Sequence, residues 1–342
     1  MISRPAAAVA LLACGLLLAG CGGPAGKSGT PGTVTVYVSE DRVFSEPILR
    51  EFEEQTGIRV EAVYDTEEAK STGVMNRLLA EKDHPRADVY WANEPIRAEV
   101  LRQRGVAEPY RSPSAEGIPA GLRAPDWSWT GFSARLRVLC VGADVADPPT
   151  SVRAYADPRW KGKGVIANPL FGTTTSHVAA LFTLWGDEEA RRFLEAVREN
   201  GTAISTSNGE SADLVASGRY AFALVDSDDV VNRMRQGRPV KLVYPDQGEG
   251  EPGLFLVPNA VLLVRGAPHP EAGRKLIDWL LSPATEEKLA RADCAQVPLH
   301  PGVPGPPELR PVDELRLLEV DWEAVARKMT EIQPFLEEWA GR

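Results

Sequence analysis

Three carboxylates stand close together in the sequence, at Asp226, Asp228 and Asp229, between an apolar strand and a helix. Carboxylates that share one site repel each other unless a cation neutralises them. A site built from oxygen atoms suits a hard ion such as Fe³⁺, Ca²⁺ or Mg²⁺ and disfavours copper and zinc. The structural alternative is that Asp226 caps the helix while Asp228 and Asp229 complement its dipole. From the residues alone, both interpretations stay open.

A second candidate site is the run Gly172–His177, at the start of a predicted helix. Backbone N–H groups at a helix N-terminus, helped by nearby hydroxyls, bind anions. Gly172 lets such a ligand approach the backbone closely. The alternative is that Thr173 and Thr174 belong to a cap that binds nothing. We expect His177 to pack on its helix rather than to bind a ligand.

The segments that must position these residues alternate between strand and helix patterns. Val34–Val38 and Ala87–Trp91 are predicted strands, and a helix that Ser45 caps is predicted to reach Thr56. This βαβ order implies a mostly parallel sheet with helices on its faces. A second α/β series follows, with a strand over Leu136–Val141. We therefore predict an α/β protein with two lobes, each a mostly parallel sheet flanked by helices, and a ligand cleft between them.

The predicted lobes are framed by segments of different character. In the last segment, apolar residues from Trp322 to Leu336 recur at helical spacing and predict one helix, from about Asp321 to Trp339, packed on the outside. The predicted parts are a signal peptide (1–20), a lipid anchor and flexible tether (21–32), lobe 1 (33–115 and 254–300), lobe 2 with the crossing strands (116–253) and a C-terminal helical arm (301–342).

The first twenty residues predict export. Arg4 precedes an apolar stretch, Ala6–Leu18, that is shorter than the roughly 20 residues a membrane span needs. The run Leu18–Cys21 resembles the lipobox of bacterial lipoproteins, in which the cysteine is acylated and becomes the first residue of the mature chain. We expect a protein anchored through Cys21 at the outer face of a membrane or in the periplasm. The alternative is an ordinary secretory signal with a chance cysteine.

Composition narrows the function classes. The chain has 342 residues and a formal net charge of −10, without a sustained basic cluster, which argues against a nucleic-acid partner. The sequence has no HExxH, GxxxxGK, GxSxG or CxxC motif, so we predict a binding protein rather than an enzyme. Beyond the leader and the anchor, two cysteines remain. Export permits a disulfide between Cys140 and Cys294, whereas the apolar surroundings of Cys140 favour a buried thiol.

Several of these segments resemble a known family. Val36–Asp41, the segment Phe52–Val60, Ala87–Trp91 and Ala216–Gly218 are similar to the family-1 extracellular solute-binding proteins, and within them most of all to the ferric-ion-binding periplasmic proteins. The similarity extends over about residues 33–300. The resemblance implies a type II periplasmic-binding-protein fold, whose two lobes close over the ligand. It also implies a permease and an ATPase that complete an ABC importer.

The resemblance also implies ligand positions. Ferric-binding proteins hold iron with a histidine after the first strand, a glutamate after the third, two adjacent tyrosines in the second lobe, and an anion. The metal-ligand positions fall on Asp41, on Asn93 (with Glu94 next to it), and on Asp228 and Asp229. Each differs from the family pattern. The anion-binding positions fall on Gly172, Thr173, Thr174, Asn208 and Asp226.

We therefore expect a monomeric substrate-binding lipoprotein of an ABC importer. Its ligand is predicted to be ferric ion or a similar hard cation, bound with a synergistic anion, and no resident cofactor is expected. One alternative is an amine-containing organic ligand, such as an aminophosphonate or a polyamine. Trp91 at a strand end could then contact the ammonium through a cation–π interaction, or simply belong to the core. Another alternative is a surface enzyme or adhesin on the same scaffold.

Overall fold

Two long strands, β5 (Thr130–Gly142) and β10 (Leu256–Val264), run antiparallel through the middle of the sheet. The computed structural model describes residues 32–65 and 72–341. The predicted signal peptide, Cys21 and all of the tether except Gly32 lie outside these residues.

The remaining strands are β1 (Thr33–Val38), β2 (Arg59–Tyr64), β3 (Val89–Ala92), β4 (Ala107–Glu108), β6 (Gly164–Ala167), β7 (Ala203–Ser205), β8 (Phe222–Asp226) and β9 (Val240–Val243). The helices are α1 (Arg42–Thr56), α2 (Thr72–Ala80), α3 (Pro95–Gln103), α4 (Gly172–Trp185), α5 (Asp187–Glu199), α6 (Asn208–Ala216), α7 (Ser227–Arg235), α8 (Pro270–Leu280), α9 (Pro283–Arg291), α10 (Trp322–Glu331) and α11 (Gln333–Gly341).

The sheet has two halves that share β5. In the first half, β1 pairs in parallel with β2 and β3, and β3 pairs with the antiparallel β10. In the second half, β6 pairs in parallel with β7 and β8, and β8 pairs with the antiparallel β5. The first part of β5 pairs with β10 and its second part with β8. Asp41 and Asn93 follow the carboxyl ends of β1 and β3, and Asp226 is the last residue of β8. α/β sheets usually place ligands at these strand ends.

The helix that follows β1 starts earlier than predicted. Its N-cap residue is Asp41 rather than Ser45. Ser45 is buried one turn into the helix, and its hydroxyl donates to the Asp41 carbonyl at 2.9 Å. Both residue types favour caps, so the sequence alone did not separate them. Phe52 lies on the buried face of α1, and the helix ends at Gly57, whose φ of 70° is the left-handed value that glycine adopts readily.

Both central strands are irregular at the same level. The register between β5 and β10 shifts between Pro258 and Asn259, and opposite them Ser133 has a φ of 38°. The Asn259 side chain donates to the Ser133 carbonyl at 2.7 Å. Strand β10 nevertheless continues through Pro258 as a single strand. The prediction of Leu136–Val141 found only the second part of β5, because Gly131 and Ser133 interrupt the apolar pattern.

The C-terminal arm consists of two helices, not the single helix predicted, because Pro334 has no N–H with which to continue α10. Helix α10 packs against α3 and α4, which belong to opposite halves of the sheet. Its Trp322 lies 6.0 Å from the Phe255 ring, and the indole N–H donates to the Gly121 carbonyl at 2.7 Å. The predicted lobe and arm boundaries remain predictions.

Cys140 and Cys294 are both buried free thiols, so the structure favours the buried-thiol alternative over a disulfide. Burial raises the pKa of Cys140 to about 12, which keeps this thiol protonated at neutral pH. Among residues 32–65 and 72–341, no helix combines the length and the apolar character that crossing a bilayer requires.

Glu286 of α9 holds the junction of the two halves together. Its buried carboxylate accepts hydrogen bonds from the Ser133 amide at 2.8 Å and from the His300 amide at 2.9 Å. The His300 ring lies between this carboxylate, at 2.8 Å, and the Ser114 carbonyl, at 2.9 Å. The hydrogen bond to Glu286 raises the pKa of His300. This hydrogen-bonded pair of side chains thus anchors the irregular part of β5.

We expect Glu286→Ala to lower the free energy of unfolding by about 3–5 kcal/mol, because it leaves the His300 ring and several buried amides without their hydrogen-bond acceptor. Urea denaturation followed by circular dichroism measures this. The matched control is Glu287→Ala, whose side chain is more than a third exposed and pairs with Arg291, with an expected effect below about 1 kcal/mol. Equal effects of the two substitutions would contradict this role of Glu286.

Candidate functional site

The three aspartates meet where β8 passes directly into α7. One carboxylate oxygen from each of Asp226, Asp228 and Asp229 lies within 4.8 Å of the others. The five residues of β8 are buried, and no residue separates the strand from the helix. Asp226 is the N-cap residue of α7, as in the structural alternative, but its side chain makes no capping hydrogen bond to this helix. Asp228 and Asp229 lie in the first turn of α7, where negative charges interact favourably with the helix dipole.

Asp226 is neutralised by a buried arginine that was not among the predicted site residues. The guanidinium of Arg137 is fully buried and donates to Asp226 Oδ1 at 3.0 Å. Asp226 Oδ2 accepts from Thr173 Oγ1 at 2.8 Å and from Asn208 Nδ2 at 3.2 Å. Arg137 also donates to Thr173 Oγ1 at 3.1 Å and to Thr174 Oγ1 at 3.2 Å. The predicted anion-binding side chains therefore do lie together, but as the partners of an internal ion pair.

Asp228 and Asp229 have no comparable neutralising partner. Oδ1 of Asp228 is buried without a hydrogen-bond partner among the described residues. Burial, together with repulsion from Asp229 and Asp226, raises the pKa of Asp228 well above its ordinary value. Burial and the charge of Asp226 raise the pKa of Asp229 to about 7, although Arg233 lies 3.8 Å away. These two carboxylates resist full ionisation unless positive charge is supplied.

Arg135, two residues before Arg137, brings residues of the first half of the sheet to the same site. Its Nη2 donates to the Asn93 carbonyl and lies 3.5 Å from Glu40 Oε2. Burial alone would lower the pKa of Arg135, but the charges of Glu40, Asp226, Asp228 and Asp41 raise it. Asp41 and Asn93 therefore belong to the electrostatic surroundings of the aspartates, and Glu40 and Arg135 were missed. Arg135 and Arg137 lie on one face of an apolar strand, and that spacing in the sequence does not by itself show whether the face is buried.

Glu94 has a different environment from the one predicted. Its carboxylate caps α3, accepting from the amides of Ile96 at 2.8 Å and Arg97 at 3.0 Å. It also accepts from the Arg97 guanidinium at 3.0 Å and from Ser176 Oγ, on α4, at 3.2 Å. These donors account for both oxygens. The geometry therefore supports a structural cap that joins the two halves and gives no support to Glu94 as a ligand.

The N-terminus of α4 lies beside Asp226, as the Thr173 contact shows. No side chain caps this helix, and Gly172 has a φ of 60° with open space where a Cβ would lie. The hydroxyls of Thr173 and Thr174 are already engaged with Arg137. Any anion at this terminus would therefore depend on backbone amides rather than on these hydroxyls.

Two aromatic positions are settled by burial. Trp91 is fully buried, with its indole N–H 3.4 Å from Asn259 Oδ1, so it belongs to the core and is not a platform for a cationic ligand. His177 is buried against the Phe255 ring at 5.1 Å, as expected for a residue packed on its helix. Burial lowers the pKa of His177 well below its ordinary value, which keeps the ring neutral.

Substitutions of Asp226 and Asp228 should affect the stability of the protein differently. We expect Asp226→Asn to lower the free energy of unfolding at pH 7.5 by about 3 kcal/mol or more, because it leaves Arg137 as an uncompensated buried charge. Asp228→Asn should leave stability unchanged or raise it, since it removes a carboxylate that is disfavoured in the folded state. Chemical denaturation of the ligand-free proteins measures both, and destabilisation of similar size would contradict this assignment.

The pKa of Asp229 predicts a dependence of stability on pH. An aspartate in the unfolded chain titrates near pH 4, whereas the folded protein keeps Asp229 protonated up to about pH 7. Since the unfolded state then binds fewer protons, this group lowers the stability of the ligand-free protein as the pH rises from 4 to 7. The melting temperature of Asp229→Asn relative to wild type should therefore rise across that window and level off above it. A pH-independent difference would contradict the prediction.

The family described as bacterial extracellular solute-binding protein matches residues 48–310. Iron uptake protein A1 of Synechocystis is 28% identical over 306 residues, which cover 84% of this chain and 83% of that protein. A putative 2-aminoethylphosphonate-binding periplasmic protein of Salmonella typhimurium is 26% identical over 270 residues, covering 77% of this chain and 74% of that protein.

Among solved structures, iron-bound HitA from Pseudomonas aeruginosa superposes with a TM-score of 0.79 at 22% identity, covering 90% of this chain and 99% of HitA. The predicted two-lobed α/β fold with a cleft between the lobes is thereby confirmed. The predicted resemblance to solute-binding proteins, including those named for iron, is confirmed as well. This chain belongs to the family of bacterial extracellular solute-binding proteins.

Proposed function

We propose that this chain is the substrate-binding subunit of an ABC importer and captures a hard cation on Asp228 and Asp229. One observation carries the proposal: two neighbouring carboxylates lie beside Asp226 with their pKa values raised, while Asp226 alone is neutralised by Arg137. A bound cation supplies the missing positive charge and allows both groups to ionise. Asp41 adds negative charge from the first half of the sheet.

The chemistry of the donor set favours a hard ion. The cluster offers carboxylate oxygens without a nearby thiolate or imidazole ligand among the described residues, which suits Fe³⁺ and disfavours soft metals. The name of the Synechocystis relative and the iron in HitA agree with ferric ion as the transported substrate. In this proposal carboxylates take the positions at which the ferric-binding proteins carry tyrosines.

An accompanying anion is the second part of the proposal. The uncapped N-terminus of α4 lies beside the aspartates, and Gly172 leaves its backbone open to a ligand. A carboxylate or phosphate group there would accept hydrogen bonds from the amides and offer its remaining oxygens to the cation. The positive charges of Arg135 and Arg137 favour such an anion.

An organic zwitterion is the second candidate, and the pairing of opposite charges in the cleft favours it. The nitrogen Nε of Arg135 is buried without a hydrogen-bond partner among the described residues. A phosphonate could bind near it while an ammonium group takes the place of the metal at Asp228 and Asp229. The name of the Salmonella relative agrees with this chemistry.

The transport setting completes the proposal. We place a monomer on the outer side of the membrane, anchored through Cys21, where it delivers its ligand to a permease coupled to an ATPase. Closure of the two lobes about β5 and β10 would distinguish the loaded from the empty form. Ligand capture, rather than catalysis, is the proposed activity.

We expect wild type to bind ferric citrate, and Asp228→Asn/Asp229→Asn to weaken binding by about 100-fold or more, because both proposed ligands lose their charge. Isothermal titration with ferric citrate measures the affinity, and metal analysis of freshly purified protein checks the native ligand. Asp83→Asn/Asp144→Asn, which removes two exposed aspartates, is the charge-matched control and should bind as wild type.

The same titration with 2-aminoethylphosphonate separates the two candidates. Binding of this compound, without binding of ferric citrate, would replace the cation by the zwitterion as the substrate. Unchanged ferric citrate affinity in the double aspartate variant would contradict the proposed site.

A further inference from the structure

We propose that Glu40 is a positioning residue that holds the Arg135 guanidinium away from Asp228, and so keeps the aspartate cluster available to a cationic ligand. The inference rests on the proposed function and adds a determinant of its specificity. An arginine within the electrostatic reach of an acidic cluster is an internal competitor for any cation that the cluster binds. Something must therefore prevent the arginine from closing on the carboxylates.

The contacts of Arg135 show what holds it. Its Nη2 donates to the Asn93 carbonyl and faces Glu40 Oε2 at 3.5 Å. Arg135 and Glu40 are 8% and 4% exposed, respectively, so this is a buried ion pair. Both Glu40 and Asn93 belong to the first half of the sheet, whereas Asp228 belongs to the second. The guanidinium is therefore held by residues of the other half of the sheet from Asp228.

Within the part of the chain that the structure describes, Arg135 and Asp228 each have a buried polar atom without a hydrogen-bond partner, yet they do not pair with each other. Nε of Arg135 and Oδ1 of Asp228 are both buried without hydrogen-bond partners among the described residues. The charge of each acts on the other, since Asp228 raises the pKa of Arg135 and Arg135 lowers that of Asp228. A donor and an acceptor of opposite charge thus stay apart although each lacks a partner. The attraction of Glu40 for the same guanidinium accounts for this.

Glu40 is itself fixed by a chain of buried amides. Its Oε1 accepts from Gln296 Nε2 at 3.1 Å, and Gln296 Oε1 accepts from Asn259 Nδ2 at 2.7 Å. Asn259 lies at the register shift in β10, and Gln296 and Asn259 are fully buried. Because these side chains leave the Glu40 carboxylate little freedom, its position and that of Arg135 are set by the fold rather than by the ligand.

Two variants test this inference: the first removes the charge of Glu40, and the second removes the charges of both Glu40 and Arg135. With Tb³⁺ chloride as a hard cation that brings no coordinating anion, Glu40→Gln should bind at least tenfold more weakly than wild type, because Arg135 is free to pair with Asp228. Glu40→Gln/Arg135→Gln should regain an affinity within threefold of wild type. Isothermal titration at pH 7.5 measures all three proteins, and thermal unfolding verifies that each is folded.

Glu99→Gln is the matched control, because Glu99 is also buried and paired with an arginine, at 2.8 Å from Arg102, but belongs to α3. It should bind Tb³⁺ as wild type does. A loss of binding in Glu40→Gln that the second substitution does not rescue would overturn the inference, and so would wild-type affinity in Glu40→Gln. Failure of wild type to bind either Tb³⁺ or ferric citrate would instead overturn the proposed cation-binding function.

Discussion

The buried ion pair between Arg137 and Asp226 is the interaction on which the arrangement of the cleft depends. It joins β5 to β8, and through Thr173 and Asn208 it also fixes the first turns of α4 and α6. A buried charge is costly unless it is paired and hydrogen-bonded. Here Nη1 and Nη2 of Arg137 both donate hydrogen bonds, while its Nε is buried without a partner among the described residues. The first turns of two helices are thereby brought to the last residue of β8. That point is the carboxyl end of β8, where the two halves of the sheet face each other.

Because Arg137 satisfies only the first aspartate, the two that follow remain electrostatically unfavourable. Burial and the repulsion among neighbouring carboxylates raise the pKa values of Asp228 and Asp229. A positively charged ligand removes this repulsion when it binds, and the relief of the repulsion contributes to its affinity. Arg135 has to be restrained for the same reason, since its guanidinium could neutralise the aspartates in place of the ligand.

The sequence allowed the fold class, the two halves of the sheet and most members of the site to be predicted. Asp226, Thr173, Thr174 and Asn208 were correctly grouped, because the resemblance to ferric-binding proteins aligned them with the anion site. Their internal pairing was missed, since charged residues such as Arg135 and Arg137 in a strand usually face solvent and only tertiary burial shows otherwise. The shift at Pro258 and the cap at Asp41 depend on local geometry that several residue types satisfy equally well.

The central claim is that Asp228 and Asp229 are held partly protonated until a cation arrives. Carbon-13 NMR of protein labelled at aspartate carboxyls tests it directly, with the Asp228→Asn and Asp229→Asn variants assigning the signals. We predict that this pair shows a titration step near pH 7 in the ligand-free protein, and that a saturating cationic ligand moves the step to lower pH. Titration of both carboxyls below pH 5 without ligand would contradict the account.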